Sequence, residues 1–132
     1  MSSFSENLRT KMLVGGFENI YIESFPAPTS ISPQIIGIIA SGEIFDAGNP
    51  EIISFIRRFI VTGSAETAYR KAEEIVEYFW PRTQKPTWLQ QSSFIMTDYT
   101  VKKVFCEKLP TLTKNVGNIF YADCILRFFT AQ

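Results

Sequence analysis

Histidine is absent from the 132-residue sequence, and its absence removes several kinds of chemistry. Ser-His-Asp and Cys-His nucleophilic pairs, histidine general bases and His-containing zinc sites are all excluded. Net charge is absent too, because 13 basic residues balance 13 acidic ones. A neutral chain has no long-range attraction to nucleic acid or anionic lipid, so any such contact would depend on local groups. Most common hydrolase mechanisms are therefore ruled out.

Cysteine is scarce, and long apolar runs are missing. Cys106 and Cys124 lie in neighbouring apolar segments that could form adjacent strands. A disulfide is conceivable there, but two buried free thiols in a reducing compartment are the favoured interpretation. The first fifteen residues have no continuous apolar core, and no apolar run approaches the ~20 residues of a membrane-spanning helix. We expect one domain over residues 1–132, assembled in a cytoplasm and without a membrane partner.

Aromatic residues, by contrast, are abundant. The chain contains 12 Phe, 5 Tyr and 2 Trp, which together make up 14% of its residues. This is more rigid apolar area than one small core usually needs. The surplus predicts buried contacts between subunits.

Two segments have the periodicity of amphipathic helices. The clearer one is predicted over Ser64–Phe79, where Ser64 is suited to cap the first turn and apolar residues follow at spacings of three and four. The second is predicted over Ser3–Leu13. The apolar stripe of the first helix is Ala65, Ala68, Tyr69, Ala72, Ile75, Val76 and Phe79, and that of the second is Phe4, Leu8 and Met12.

Extended segments surround these helices. The predicted strands are Ile20–Phe25, Ile35–Ile39, Ile52–Val61, Phe94–Phe105 and Asn118–Thr130, joined by loops at Ser41–Glu51 and Arg82–Ser93 and by a connector at Cys106–Val116. We predict an α+β fold with a mixed, mostly antiparallel sheet of four to five strands and two helices packed on one face. Several strands are apolar on both sides, so we expect another copy of the chain to bury the second face or an edge.

Polar residues in this sequence do not form a pattern typical of catalysis. Glu73, Glu74 and Glu77 lack a partner carboxylate cluster, which indicates a solvated helix face rather than a cation site. The segments Gly15–Gly16 and Gly42–Gly48 match neither the dinucleotide-binding fingerprint nor the phosphate-binding loop. We predict no catalytic residue, no cofactor and no metal ligand.

Arg57 and Arg58 interrupt an otherwise apolar strand. In one interpretation, one of the two arginines points toward the core side or is paired at an interface. In the other, both ends of the strand lie at the surface and the arginines are solvated. The sequence leaves both interpretations open.

Four features in order carry a resemblance to a known family. The first helix runs into a strand that ends at Phe25-Pro26-Ala27-Pro28, and the strand Ile35–Ile39 is followed by Gly42 and a long loop. Next, Phe55–Val61 leads through Gly63 and Ser64 into the alanine-rich helix, and Gly117 opens a last strand that contains Tyr121. This layout resembles the tail terminator proteins of long-tailed bacteriophages, which are also called minor capsid or tail completion proteins.

The resemblance implies a structural virion protein. Such a subunit forms a hexameric ring, terminates the tail tube at its head-proximal end and joins the tail to the head or neck. Its partners would be further copies of itself, the tail tube protein and a neck or connector protein, with DNA passing through transiently and without sequence preference. The alternatives are another neck, connector or tail tube ring component, and a small ligand-binding α+β module or histidine-free enzyme.

Two sets of candidate residues follow for a ring of this kind. The candidate subunit contacts are Arg57, Arg58, Phe128 and Phe129. The loop Ser41–Glu51 is predicted to face the lumen or the adjoining ring, through Glu43, Phe45, Asp46 and Glu51. No basic residue lies between Ala40 and Phe55, so this loop is negatively charged and would repel passing phosphates. A disordered surface hairpin is the alternative interpretation of the loop.

Overall fold

The protein was analysed as a computed structural model, which describes residues 2–24, 26–46, 49–81 and 93–131, the side chains of residues 44–46 and 49–52 excepted. The elements in chain order are α1 (Phe4–Val14), β1 (Ile20–Ile22), β2 (Ile36–Asp46), β3 (Asn49–Gly63), α2 (Ala65–Phe79), β4 (Phe94–Ile95), β5 (Thr100–Val116) and β6 (Ile119–Ala131). The strands form one sheet in the order β1-β2-β3-β6-β5-β4. Strand β1 is parallel to β2, and the other neighbouring pairs are antiparallel. None of the helices described here is long and apolar enough to cross a membrane.

Over the described residues the sheet has six strands, so the predicted count of four to five is wrong. The predicted strand Phe94–Phe105 is in fact two strands, because the chain reverses direction where the Met96 amide donates to the Tyr99 carbonyl. The predicted connector Cys106–Val116 is the second half of β5. The described residues also contain two helices, so the chain is still roughly α+β, as predicted.

The predicted loop Ser41–Glu51 is also wrong, because this stretch is the end of a β-hairpin. Strand β2 continues to Asp46, β3 begins at Asn49, and Glu43 faces Phe55 across the ladder. Gly42 does not end the strand but occupies a β-bulge with φ of 143°, which a residue with a side chain would rarely adopt. The predicted loop at 82–93 lies outside the described residues except for Ser93, as does Phe25.

Both helices pack on one face of the sheet, here called the covered face. The ring of Phe4 in α1 stacks on Phe55 of β3 with 4.3 Å between centroids. Phe79 of α2 meets Phe128 of β6 edge-on at 5.2 Å, and Phe4 lies 5.4 Å from the same ring. Phe128 is fully buried and contacts both helices. It therefore marks the centre of the core.

Helix α2 confirms the helix predicted from its periodicity, although Tyr69 of the predicted apolar stripe is exposed and Ala65 is only half-buried. Ser64 is its N-cap and accepts a hydrogen bond from the Thr67 amide. The buried side is Ala68, Ala72, Ile75, Val76 and Phe79. Gly63 before the cap has φ of 155°, and a Cβ there would lie 2.7 Å from Thr67 Oγ1. Glycine thus allows the turn from β3 into the helix to be tight.

Candidate functional site

Arg57 and Arg58 are adjacent in β3 and point to opposite faces of the sheet, because side chains alternate along a strand. Arg57 lies on the covered face and is only 5% exposed. Its Nε donates to Ser5 Oγ at 2.8 Å, and its guanidinium lies 5.4 and 5.5 Å from the ring centres of Phe4 and Phe55. Burial lowers the pKa of Arg57, and Glu43 and Glu23 at longer range offset part of that effect. Arg57 is thus a core residue of the contact between α1 and the sheet.

Arg58 lies on the other face, here called the open face because no helix in the described part of the chain packs on it. Its Nε donates to Asp123 Oδ2 at 2.6 Å. Lys108 Nζ donates to the other carboxylate oxygen at 2.9 Å, and Thr111 Oγ1 lies 3.3 Å from that oxygen. The carboxylate of Asp123 is only 1% exposed. Three strands, β3, β6 and β5, therefore meet at one buried anion.

The environment of Asp123 determines its charge. Burial alone would raise the pKa of its carboxyl, but the hydrogen bonds from Lys108 and Arg58 and their positive charges together outweigh burial, and the pKa is lowered. The aspartate is therefore ionised at neutral pH. Asp123 forms ion pairs with Lys108 and Arg58, whose side chains remain 40% and 39% exposed.

The remaining basic residues of the open face lie against aromatic rings. Arg127 is 4.8 Å from the ring centre of Phe129, and its Nε donates to Ser54 Oγ at 3.0 Å. Lys103 lies 5.6 Å from the same ring, and Lys114 lies 4.6 Å from that of Tyr121. Such cation–π contacts hold the charged groups against the sheet while leaving them accessible.

Isoleucines fill the spaces between these charged groups. Ile39 and Ile125 face Arg58 across the two ladders, and Ile56 and Ile60 are two positions before and after it. All four are half-buried, although they lie on the open face. The open face is therefore a mixed layer of partly exposed apolar side chains and partly paired cations. A second layer over them would complete their burial.

Four apolar side chains of β5, here called the apolar strip, are 44–62% exposed, namely Phe105, Leu109, Leu112 and Val116. The ring of Phe105 lies 6.2 Å from that of Trp80, and Leu112 faces the buried Ala122 across the ladder. Within the described residues, β4 pairs with β5 only at Thr100 and Val101, so the strip lies on an uncovered edge. Pro110 and several register shifts interrupt this edge, which are features that prevent indefinite strand pairing. Side-chain contacts suit this edge better than a continuous ladder.

The other predicted site residues are distributed as follows. Phe128 is buried in the core, whereas Phe129 is partly exposed on the open face. Glu43 is exposed near the end of the β2–β3 hairpin, and the side chains of Phe45, Asp46 and Glu51 lie outside the described part. The structure thus brings Arg58 and Phe129 to one surface and places Arg57 and Phe128 beneath the helices.

Sequence reasoning missed Asp123, Lys108 and Thr111. The signal was present, because Asp123 stands within the apolar stretch Ala122–Leu126 just as Arg58 stands within β3. Pairing them required the register of β3 with β6, which places Arg58 opposite Ile125 and next to Asp123. Cys106 and Cys124 are buried and form no disulfide, and burial raises the pKa of Cys124.

Comparison with known proteins gives no assignment, since no family model matches the chain and no curated protein is significantly similar to it.

Among the described residues there is no group of three or more side chains suited to hold a metal ion. A depression of about 550 Å³ lies beside β4 and β5 and is lined by Ser93, Phe94, Ile95, Thr100, Val101 and Lys102. Lys102 is the one charged side chain in this lining, and the others are apolar or carry a hydroxyl group. The open face and the apolar strip have more charged and exposed apolar side chains than this depression, and they are the strongest candidate site.

Proposed function

We propose that this protein is a structural subunit that assembles into a ring at the head-proximal end of a phage tail tube. There it terminates tail assembly and joins the tail to the head or neck. The position in the tail depends on the resemblance of the chain to tail terminator proteins. Assembly depends on the surface of the subunit.

The observation that carries the proposal is the open face of the sheet, on which no described helix packs. Four isoleucines and Phe129 are partly exposed on the open face, and the apolar strip of β5 is exposed as well. Partly exposed apolar side chains with charged groups among them are typical of a protein–protein interface. A subunit that assembles with copies of itself would bury such a surface.

The elements that carry the resemblance are consistent with the proposal. Helix α1 leads into β1, and β3 passes through Gly63 and the Ser64 cap into α2. The β2–β3 hairpin carries the exposed acidic Glu43. We extend the proposal to this hairpin end, which would face the lumen or the adjoining ring and repel passing DNA.

Electron microscopy with tail tubes tests the proposal. The purified protein carrying a small gold label on an added terminal tag would be mixed with tubes that lack a terminator. One label cluster at a single end of each tube, together with a gain in head joining, supports the proposal. Labels repeated along the tube would assign the chain to the tube itself, and absence of any binding to tubes or necks would overturn the proposal.

A further inference from the structure

We infer that the outer edge of β1 binds a short extended segment of another protein, and that this segment carries an acidic side chain. The segment would lie beside β1 as a further strand of the sheet and place its carboxylate against Arg9. Such binding goes beyond the proposed function, because it specifies the chemistry of a partner whatever the place of the protein in a particle. Three features support it: the backbone of β1, a groove beside that strand and the charge of Arg9.

The outer edge of β1 has main-chain groups without a hydrogen-bond partner. In the parallel register with β2, the Ile36 amide donates to the Asn19 carbonyl, so Ile20 and Ile22 point their main-chain groups away from β2. The Ile22 carbonyl accepts a hydrogen bond from the Ser24 amide at 2.8 Å. The N–H and C=O of Ile20 and the N–H of Ile22 have no partner among the described residues.

These three groups belong to a groove between α1 and β1. The groove has a volume of about 400 Å³ and is lined by Arg9, Asn19, Ile20, Tyr21, Ile22 and Ser24. Ile20 is only 4% exposed. Main-chain groups that are this enclosed normally have a hydrogen-bond partner. An extended segment laid along β1 would supply one for each group, as in other cases where a peptide adds a strand to a sheet edge.

The ends of β1 limit the length of the segment. Asn19 and Glu23 flank the strand with φ of 56° and 67°, so the chain turns out of the strand on both sides. Glu23 Oε1 also accepts the Ala40 amide at 3.0 Å and closes one end of the edge. The edge is three residues long, or roughly 10 Å. This length suits a short segment better than the edge of a folded sheet in a second copy.

Arg9 determines the charge that the segment should carry. It is the one charged side chain that lines the groove, and it is exposed. Arg9 forms no ion pair with any described residue, in contrast to Arg58 and Lys108, which share Asp123. A guanidinium binds a carboxylate through paired hydrogen bonds. Tyr21 is 39% exposed in the same groove and offers its ring to a neighbouring side chain of the segment.

Selection from a random peptide library displayed on yeast tests this binding. The best binder to the intact protein would be synthesised with blocked ends, and we expect it to contain an acidic residue and no central proline. Replacing that acidic residue by its amide should weaken binding at least tenfold in fluorescence anisotropy. Binding should also protect the Ile20 and Ile22 amides from hydrogen exchange, whereas the Tyr21 and Glu23 amides should be protected in the free protein already.

Two variants of the protein separate the arginine from the backbone. Arg9→Glu reverses the charge in the groove and should weaken peptide binding at least tenfold. Its control is Lys102→Glu, which reverses an exposed charge at the opposite edge of the sheet and should bind like the parent. Ile22→Pro removes one outward N–H without removing a bond to β2 and should also weaken binding tenfold. Its control, Ile22→Val, keeps that N–H.

Several outcomes would overturn the inference. One is a library without any binder, and another is a peptide that binds the parent, Arg9→Glu and Ile22→Pro equally well. If Ile22→Pro does not fold, hydrogen exchange decides, and unchanged exchange at Ile20 and Ile22 on binding contradicts the inference. If Ile22→Pro instead abolishes self-association in sedimentation velocity, the occupant is a second copy and the inference is wrong. The gold label on tail tubes tests the proposed function separately from all of these results.

Discussion

The covered face and the open face of this sheet each carry an arginine of β3, and the two arginines have different surroundings. On the covered face, Arg57 is buried among aromatic rings and a serine hydroxyl. On the open face, Arg58 is partly exposed and shares a buried carboxylate with Lys108. The covered face depends on aromatic packing and the open face on an ion cluster. Core stability and assembly should therefore respond to different substitutions.

The largest contrast is expected between Phe128 and Phe129, which are adjacent in β6 and lie on opposite faces. Phe128→Ala removes a fully buried ring that touches both helices and should lower the free energy of unfolding by about 3–5 kcal/mol. Phe129→Ala removes a partly exposed ring and should cost about 1 kcal/mol in the isolated subunit. Urea unfolding at low protein concentration measures both. Equal losses would mean that the two faces are equally part of the core.

The next largest effect is expected at Asp123. Asp123→Asn keeps the shape but leaves Arg58 and Lys108 without their shared anion, at a cost of about 2–3 kcal/mol. Glu107→Gln is the matched control, because Glu107 is 35% exposed and lies 3.5 Å from Arg127. It should cost less than about 1 kcal/mol. A similar loss in both variants would show that Asp123 is not the centre of the cluster.

The same residue predicts a dependence of stability on pH. The pKa of Asp123 is lowered in the folded protein, so its contribution is complete above the unfolded value of about 3.9. The contribution is lost as the pH falls below that value through the lowered folded pKa. Urea unfolding between pH 6 and pH 2.5 should show this loss in the parent chain. Asp123→Asn should have a flatter profile over the acidic part of the range, and an unchanged slope would contradict the assignment.

Sequence reasoning reached the parts of this fold that local patterns determine. The period of α2 and its Ser64 cap predicted the helix to within one residue, and the stripe of Phe4, Leu8 and Met12 predicted the buried side of α1. These signals lie within a few residues of one another. They need no knowledge of the tertiary fold.

Long-range pairing decided the rest. Gly42 and Asn49-Pro50 are typical loop signals, yet a bulge and a hairpin end accommodate them. The second half of β5 contains Pro110 and several lysines, which are typical of an edge strand as much as of a connector. The cluster at Asp123 needed the register of three strands at once. Such features follow from the sheet as a whole, which single segments do not reveal.

A moderate effect is expected where α2 meets the sheet. Ala72 is fully buried on the side of α2 that faces the sheet, so Ala72→Leu should overpack the covered face and cost about 1–3 kcal/mol. Glu73→Leu places the same side chain on the outer side of the helix and should leave the melting curve nearly unchanged. An unchanged curve for Ala72→Leu would instead place Ala72 on the exposed side of α2.

The smallest effect is expected at the more deeply buried arginine. Arg57→Met should change the free energy of unfolding by no more than about 1 kcal/mol, because an apolar chain of similar length fills the site and no longer needs to bury a charge. The lowered pKa of Arg57 has the same physical origin, since burial disfavours its charged form. The variant loses the hydrogen bond to Ser5 Oγ and the two ring contacts, which offset part of the gain.

Arg58→Met is the matched comparison and should cost about 1–2 kcal/mol, although Arg58 is far more exposed than Arg57. It leaves the 1% exposed carboxylate of Asp123 with only Lys108 and Thr111, and a buried anion that loses a partner is expensive. Urea unfolding of the two variants side by side gives the order of the losses. If Arg57→Met proves the more damaging, the covered face depends on its buried charge, and aromatic packing alone does not explain its stability.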